Sequence, residues 1–359
     1  MTDLDIGQQR LQNQRLSGEP LSQPDEAVAW LAAVQSQDYA GAKWALGLRL
    51  SAATDATLDE AFYSGAILRT HVLRPTWHFV TPADIRWLLA LTATRVHAVN
   101  ATMYRKLDLD AATFQRSHAA LVRALAGHTY LTRDELRDTL EQAGVAPGSG
   151  QRLAYLVMAA ELDGLICSGP RRGKQFTYAL LEERAPQART LDREAALAEL
   201  ARRYFTSRGP ATVQDFAKWS GLTIAEATVG LGYVKAGLDQ TVVGGQTLFF
   251  RPPSATRPTW PQAHLLSIYD EYISSYRDRG AIVAEDFAAR LWALGNGLSY
   301  ILVLDGQVVG TWRRDLRKDA VVVEMTPFRP LIDAEQRAVS VALQQYEAFL
   351  RLPVEVVWT

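Results

Sequence analysis

The spacing of hydrophobic residues repeats one outline three times along the chain: helices, then a two-stranded hairpin. The first copy has helical spacing over 27–34 and β-type runs at 67–72 and 76–80. The second copy ends in a hairpin over 165–180, and the third in a hairpin over 240–250 that turns at two glycines. Helices followed by a hairpin are typical of a winged helix-turn-helix, so the sequence predicts three such modules in tandem.

The last hundred residues have a different pattern. After a proline-rich stretch at 251–261, short strands are predicted at 300–304, 307–309 and 320–324, followed by an amphipathic helix at 334–350. The predicted fold class is therefore mainly α with β (α+β): three tandem winged helix-turn-helix modules followed by a small C-terminal β-barrel-like module. The predicted domains are residues 1–105, 106–185, 186–258 and 259–359.

Composition limits the classes of function. There are 38 Lys and Arg against 39 Asp and Glu, so the formal net charge is −1 and any nucleic-acid role must rest on local basic patches. Cys167 is the single cysteine, which excludes an internal disulfide and a cysteine-rich zinc site. The histidines lack metal-ligand spacing and no P-loop occurs, so we expect no metal, no nucleotide and no other cofactor. Neither a secretory signal nor a run of ~18–20 apolar residues is present, which predicts a cytoplasmic protein without a membrane partner.

Five short segments carry a resemblance to known proteins. They are Val34–Asp38, Arg74–Val80, Gly169–Lys174, Tyr269–Tyr272 with Tyr276–Arg279, and Gly310–Arg313. In this order they make the chain, from about Arg15 to Trp358, similar to the AlkZ/YcaQ-like winged-helix family. The resemblance implies three winged helices in a C shape with a C-terminal β-barrel. It also implies a monofunctional DNA glycosylase that removes alkylated purines and acts on some interstrand crosslinks.

The family's catalytic signature is glutamine, an apolar residue, then glutamine or aspartate, and it falls on Gln35, Ser36 and Gln37. Ser36 departs from this signature, because the middle residue is usually apolar. An N-alkylated purine leaves as a neutral base, so the enzyme mainly has to hold a water behind C1′ of the sugar, which two amides can do. Side chains at i and i+2 share a side only on extended backbone, so Gln35 and Gln37 can meet one water only if the preceding helix has ended. The alternative is a helix C-terminus whose polar side chains satisfy backbone or solvent.

Acidic residues occur in two of these segments. Asp38 is a weaker catalytic candidate, as a general base or as a counter-charge to the sugar cation, and a helix N-cap or a salt bridge is its alternative role. Asp270 and Glu271 are adjacent and point apart, which disfavours a paired-carboxylate glycosidase. For these two residues the preferred interpretation is a buried salt-bridge network with Arg277 and Arg279.

Cationic and polar residues at three places are candidates for DNA contact, because wing tips and basic clusters commonly follow the phosphate backbone. For the clusters after the first hairpin the alternative is a solvated charged turn or face, and for His78 it is a partly buried, hydrogen-bonded histidine. The candidates are Arg69, Arg74, Thr76 and His78 on the first hairpin, Arg171, Arg172 and Lys174 on the second, and Arg313, Arg314 and Arg317 in the C-terminal module.

Three functions remain open from the sequence. The first is a monofunctional DNA glycosylase acting on double-stranded DNA, nucleoid-associated and monomeric. The second is a non-catalytic winged-helix DNA-binding protein, a regulator or damage-binding factor, which would bind as a dimer and release no base. The third is an interaction scaffold without DNA contact, supported only by the near-zero net charge.

Overall fold

The computed structural model describes residues 1–252, 259, 261–293 and 300–359, without the side chains of residues 4, 292 and 293. The helices, with a 3₁₀ turn at Lys235–Gly237, are α1 Asp3–Asn13, α2 Pro24–Leu31, α3 Tyr39–Gly47, α4 Asp55–Ser64, α5 Ile85–Lys106, α6 Ala111–Leu125, α7 Arg133–Gln142, α8 Gly150–Leu162, α9 Leu181–Arg184, α10 Arg193–Arg208, α11 Val213–Ser220, α12 Ile224–Val234, α13 Glu271–Ser274, α14 Glu285–Ala293 and α15 Asp333–Leu350. The strands are β1 Val34–Gln35, β2 Leu68–His71, β3 Trp77–Val80, β4 Leu131–Thr132, β5 Ile166–Ser168, β6 Thr177–Leu180, β7 Asp239–Val243, β8 Gln246–Phe250, β9 Ala263–Leu266, β10 Ile301–Leu304, β11 Gln307–Leu316, β12 Val321–Pro327 and β13 Val354–Trp358.

One succession of elements occurs three times: a helix, a short extended segment, two more helices and a hairpin. The extended segment always pairs with the second strand of the hairpin, β1 with β3 and β4 with β6. In the third copy a single residue, Ala211, pairs with Phe249 on β8. The three repeats are α2–β3, α6–β6 and α10–β8.

Local chemistry explains where several of these helices begin and end. Thr54, Thr132 and Thr212 precede α4, α7 and α11, and each accepts a hydrogen bond from a backbone N–H in the first turn. Helix α2 ends at Leu31 because Ala32 adopts a φ of 62°, which cannot continue a right-handed helix. The chain is therefore extended again by the time it reaches β1.

The C-terminal strands form a mixed sheet in the order β13-β12-β11-β10-β9, with β12 and β13 parallel. The prediction of a β-barrel is wrong for the described residues, because β9 and β13 form the two edges and do not pair. Instead of closing, the sheet packs a face against α15 and α3. Trp44 of α3 lies between Tyr346 and Phe349 of α15, with ring centroids 4.8 and 5.0 Å away.

The buried hydrophobic residues form two separate cores, and these do not correspond to the three repeats one by one. The first and third repeats and the C-terminal sheet share one core. The second repeat has its own core, which includes Leu121, Leu136 and Leu156. In the part of the chain that the structure describes, no helix is both long and apolar enough to cross a bilayer.

The predicted domain boundaries fall near the ends of elements. The boundary at 105/106 lies at the end of α5, and that at 185/186 follows α9. At the third boundary, residue 258 lies outside the described residues. The division into four domains stays a prediction.

Candidate active site

The segment with the two glutamines begins as strand β1 and bends at Gln37, and its successive side chains differ in burial. Gln35 pairs with His78 across β1 and β3, and the Ser36 N–H donates to the carbonyl of Trp77 at 2.8 Å. Gln35 is half-buried, Ser36 is 0 % exposed and Gln37 is exposed. The preceding helix has ended, as the sequence required, but strand β1 itself ends at Gln35 and Gln37 lies in a bend.

A buried ion pair anchors the backbone of this segment. Glu271 Oε1 accepts the N–H of Gln35 at 2.9 Å, while Glu271 Oε2 accepts from Arg208 Nη2 at 2.7 Å. Arg208 also donates to the carbonyls of Leu31 and Ala33, at 2.8 and 3.0 Å, so it holds the turn between α2 and β1. Burial alone would raise the pKa of Glu271, but Arg208 and the Gln35 N–H stabilise the carboxylate and bring the pKa down to about 2.

A second buried ion pair lies beside the first. Asp270 accepts two hydrogen bonds from Arg49, at 3.0 and 2.9 Å, in a bidentate arrangement. Asp270 and Glu271 thus point to different arginines, as their adjacency indicated. Their partners are Arg49 and Arg208, in place of the neighbouring Arg277 and Arg279 that the sequence suggested. No local signal could have identified them, because the pairs join residues more than sixty positions apart.

The first hairpin places Arg74 against the side chain of Gln35. Arg74 Nη2 lies 3.5 Å from Gln35 Oε1 and 3.2 Å from His78 Nε2. His78 is fully buried, and its Nδ1 lies 2.9 Å from the carbonyl of Thr76. The hydroxyl of Thr76 is enclosed without a hydrogen-bond partner among the described residues. His78 is thus the buried, hydrogen-bonded histidine of the alternative interpretation, and it has no surface for a phosphate.

Arg69, also predicted to contact DNA, is only 7 % exposed. Its Nε and Nη2 both donate to the carbonyl of Ser36, at 3.2 and 3.0 Å. The guanidinium lies between the rings of Trp77 and Phe176, 4.3 and 4.5 Å from their centroids. Arg69 therefore contacts the glutamine segment from the protein interior, and its charge is not exposed to solvent.

Asp38 caps helix α3. Its Oδ1 accepts the Gly41 N–H at 3.2 Å, and its Oδ2 accepts the Tyr300 hydroxyl at 2.6 Å. A side chain at position 41 would stand 2.8 Å from Asp38 Oδ2, so glycine is needed for this close approach. The N-cap role weighed from the sequence is present, and Tyr300 adds a contact from the C-terminal module.

The tip of the second hairpin reaches the same region. Arg171 lies 5.0 Å from the ring centroid of Tyr39, the residue after Asp38, and 3.8 Å from Asp59. Arg172 is exposed but donates to Glu135 at 2.7 Å. Lys174 is exposed and forms no salt bridge within the described residues. The structure thus brings one cation of this tip next to the candidate site and leaves another available to solvent.

The three arginines of β11 and its following turn differ in their surroundings. Arg314 donates to the hydroxyl of Tyr346 at 2.9 Å and lies 3.4 Å from that of Tyr300, which in turn holds Asp38. Arg313 is exposed. Arg317 is also exposed and pairs with Asp315 at 3.3 Å. Only Arg314 is joined to the glutamine segment through a chain of contacts.

Another groove among the described residues lies elsewhere and has a volume of about 1330 Å³. It runs between α11, the turn of the β7–β8 hairpin and residues 276–291, and it contains none of residues 35–38. Its lining carries both acidic and basic side chains, so we assign it no ligand. Within the described residues no group of three His, Cys, Asp or Glu is placed to hold a metal.

The class of protein follows from comparison with known families, and it is a DNA glycosylase. The family model for AlkZ-like DNA glycosylases matches residues 28–349, and the chain belongs to this family, whose members hydrolyse N-glycosyl bonds. The family resemblance read from the motifs is confirmed.

Two similar proteins come from Streptomyces sahachiroi. One, an interstrand DNA cross-link repair glycosylase, is 25% identical over 374 residues, which cover 97% of this chain and 97% of that protein. The other, a solved structure of the DNA glycosylase AlkZ, superposes with a TM-score of 0.80 at 22% identity. It covers 99% of this chain and 100% of its own. At that identity the structural match concerns the fold.

Proposed function

We propose that this protein is a monofunctional DNA glycosylase that hydrolyses the N-glycosidic bond of alkylated purines with a water held by Gln35 and Gln37. The observation that supports this most directly is the burial of Ser36 between half-buried Gln35 and exposed Gln37, at a place where the preceding helix has ended. Ser36 is buried between them, whereas Gln35 is half-buried and Gln37 is exposed, so a nucleotide can approach both amides.

The reaction requires the enzyme mainly to position the nucleotide and a water. A cationic alkylated base departs as a neutral molecule, and the sugar passes through an oxocarbenium-like state that a positioned water captures. Each amide carbonyl has two lone pairs, so it can accept a proton of that water and still keep a protein contact. Asp38 has a supporting role, because its carboxylate is fixed by Gly41 and Tyr300 next to Gln37 and can offset positive charge on the sugar.

We infer that the three repeats are winged-helix modules that bind double-stranded DNA through their wings. In a helix-turn-helix regulator the third helix of the module enters the major groove and needs polar or cationic side chains. Here the exposed side of α12 is uncharged along Ile224, Thr228, Val229 and Tyr233, and α4 carries Asp55, Asp59 and Glu60. In the first and third repeats this distribution favours the glycosylase over the regulator.

The direct test is to incubate the purified protein with methylated duplex DNA and detect free 7-methylguanine by mass spectrometry. We expect base release by the wild type and none above background from Gln35→Ala/Gln37→Ala. A matched control is Gln344→Ala/Gln345→Ala, since these two glutamines are exposed on α15, away from the segment. The control should retain full activity, and both double variants should keep the melting temperature of the wild type.

Two outcomes would contradict the proposal. Full base release by the Gln35/Gln37 double variant would remove the water-holding mechanism. DNA binding with a steep salt dependence, a dimeric state and no base release would favour the regulator instead. Under our proposal the protein is a monomer in solution, which light scattering measures, and it is found with the nucleoid.

Interstrand crosslinks are a second candidate substrate. The supporting observation is the S. sahachiroi cross-link repair glycosylase, which is similar to this chain over nearly the whole of both proteins. A duplex joined through N7 of two purines provides the test, because cleavage of one N-glycosidic bond separates the strands on a denaturing gel. Strands that stay joined while 7-methylguanine is released would restrict the enzyme to single-base lesions.

A further inference from the structure

We propose that Arg74 is a positioning residue that fixes the side-chain amide of Gln35 in one of its two orientations, with neutral His78 holding Arg74 in place. The inference rests on the proposed function, because it concerns the same two glutamines. It gives Arg74 and His78 a task different from the DNA contact that the sequence suggested.

The orientation of the amide follows from hydrogen-bonding capacity. A guanidinium has only donors, so the group of Gln35 that faces Arg74 Nη2 must be the carbonyl oxygen, which lies 3.5 Å away. The amide nitrogen of Gln35 must then point away from Arg74. The N–H of the same residue is held by Glu271 at 2.9 Å, so both the backbone and the side chain of Gln35 have fixed partners.

The same reasoning defines the state of His78. Its Nε2 faces a donor, Arg74 Nη2, and must be unprotonated, whereas its Nδ1 faces the carbonyl of Thr76 and must carry the proton. Burial and the charge of Arg74 lower the pKa of His78 to about 3, so it stays neutral at physiological pH. A protonated ring would lose its bond to Arg74 and add a second cation next to a substrate that is itself cationic.

Arg74 is suited to this task by its surroundings. Its Nη1 is enclosed without a hydrogen-bond partner among the described residues, and it forms no salt bridge there. Burial lowers the pKa of Arg74, while the negative charge of Glu271 raises it and so favours the charged guanidinium. The guanidinium is therefore retained by His78 and Gln35. Without it, the Gln35 amide could rotate by half a turn and present N–H groups where a water proton needs an acceptor.

The experiment is a double-mutant cycle with single-turnover base release and DNA affinity as separate readouts. We expect Arg74→Ala to lower the single-turnover rate by about 10- to 100-fold and to change the DNA dissociation constant by less than about 3-fold. In a Gln35→Ala background the same substitution should cause no further loss, because Arg74 acts through Gln35. Arg74→Lys keeps a donor and should recover part of the rate.

The control is Arg105→Ala, an exposed arginine near the end of α5 whose Nη2 lies 3.1 Å from Thr102. It should leave the rate and the affinity unchanged. An affinity loss of tenfold or more with an unchanged rate in Arg74→Ala would overturn the proposal in favour of phosphate contact. An equal rate loss in both backgrounds would overturn it as well.

A readout independent of activity separates this proposal from the proposed function. In protein labelled with ¹⁵N at glutamine side chains, the Gln35 amide signal is identified by its loss in Gln35→Ala. We expect Arg74→Ala to move this signal to the position and relaxation of an exposed glutamine. An unchanged signal overturns the positioning role, whatever the activity. A changed signal in a protein that releases no base supports the positioning role and removes the glycosylase mechanism.

Discussion

At the scale of single residues, Ser36 shows how the glutamine segment tolerates a departure from the family pattern. The position faces the core, which explains why an apolar residue is usual there. The hydroxyl of Ser36 is fully buried and has no hydrogen-bond partner among the described residues. A buried hydroxyl without a partner is a cost to stability that an alanine does not carry.

We therefore expect Ser36→Ala to raise the free energy of unfolding by about 1 kcal/mol, measured by urea denaturation. Ser220→Ala is the matched control, because the equally buried Ser220 hydroxyl donates to the carbonyl of Phe216 at 2.7 Å. That substitution should lower the free energy of unfolding by about 1 kcal/mol. A similar decrease in the free energy of unfolding of both variants would show that the Ser36 hydroxyl has a hydrogen-bond partner.

At the scale of elements, two hairpins carry out different tasks. The β2–β3 hairpin is built into the core and directs its arginines to the glutamine segment, Arg69 to the carbonyl of Ser36 and Arg74 to the side chain of Gln35. The β5–β6 hairpin turns at a tip whose Lys174 is exposed and forms no salt bridge within the described residues. Cations on the second hairpin are therefore better placed for phosphate contact than those on the first.

Lys174→Ala should weaken binding to duplex DNA equally for alkylated and unmodified sequences. Loss of one phosphate contact should reduce the slope of log affinity against log salt by about 1. Fluorescence anisotropy at several salt concentrations measures this slope, with Lys106→Ala, an exposed lysine at the end of α5, as the control. An unchanged slope in Lys174→Ala would mean that this tip does not touch the backbone.

At the scale of the whole molecule, buried ionisable groups join parts that are distant in sequence. Glu271 pairs with Arg208 between α13 and α10, and Asp84 accepts hydrogen bonds from Arg203 across the start of α5 and α10. These partners hold the pKa of Glu271 and that of Asp84 at about 2, against burial, which by itself would raise both. Burial lowers the pKa of His78 to about 3 and that of His264 to about 4.

Stability should therefore fall as the pH is lowered, in two stages. Each of the four groups has a lower pKa when folded, so its contribution is complete above its unfolded value and is lost as the pH falls. The two histidines act first, below about pH 6.5, and the two carboxylates follow below about pH 4.5. Between pH 7 and pH 4 we expect a loss on the order of 5 kcal/mol in the free energy of unfolding.

Urea unfolding at a series of pH values measures this profile. His264→Gln provides the control, because it removes one of the two histidines and should flatten the stage between pH 6.5 and pH 4. A profile of the wild type that stays level between pH 7 and pH 5 would mean that His78 and His264 are hydrated in the folded protein.

The sequence alone determined the helices and hairpins of the three repeats and the position of the glutamine motif. Their signals are local: threonine caps at Thr132 and Thr212, the turn at Gly244–Gly245, and hydrophobic spacing. The two-residue strand β1 was not predicted, because a strand of that length exists only through its pairing with β3. The C-terminal sheet is open for a related reason, since pairing of its edge strands β9 and β13 would depend on tertiary packing, and both strands contact α15.

Only the tertiary structure decided which charges serve the candidate site. Arg208, Glu271 and Tyr300 lie 173 or more positions from Gln35 and meet its segment through folding, so no pattern near the motif could reveal them. Arg69 and Arg74 were visible as cations, but whether a cation faces phosphate or a carbonyl depends on burial, which the whole core sets. The candidate glutamines are identifiable from a short local motif, whereas the residues that contact their segment are determined by tertiary packing.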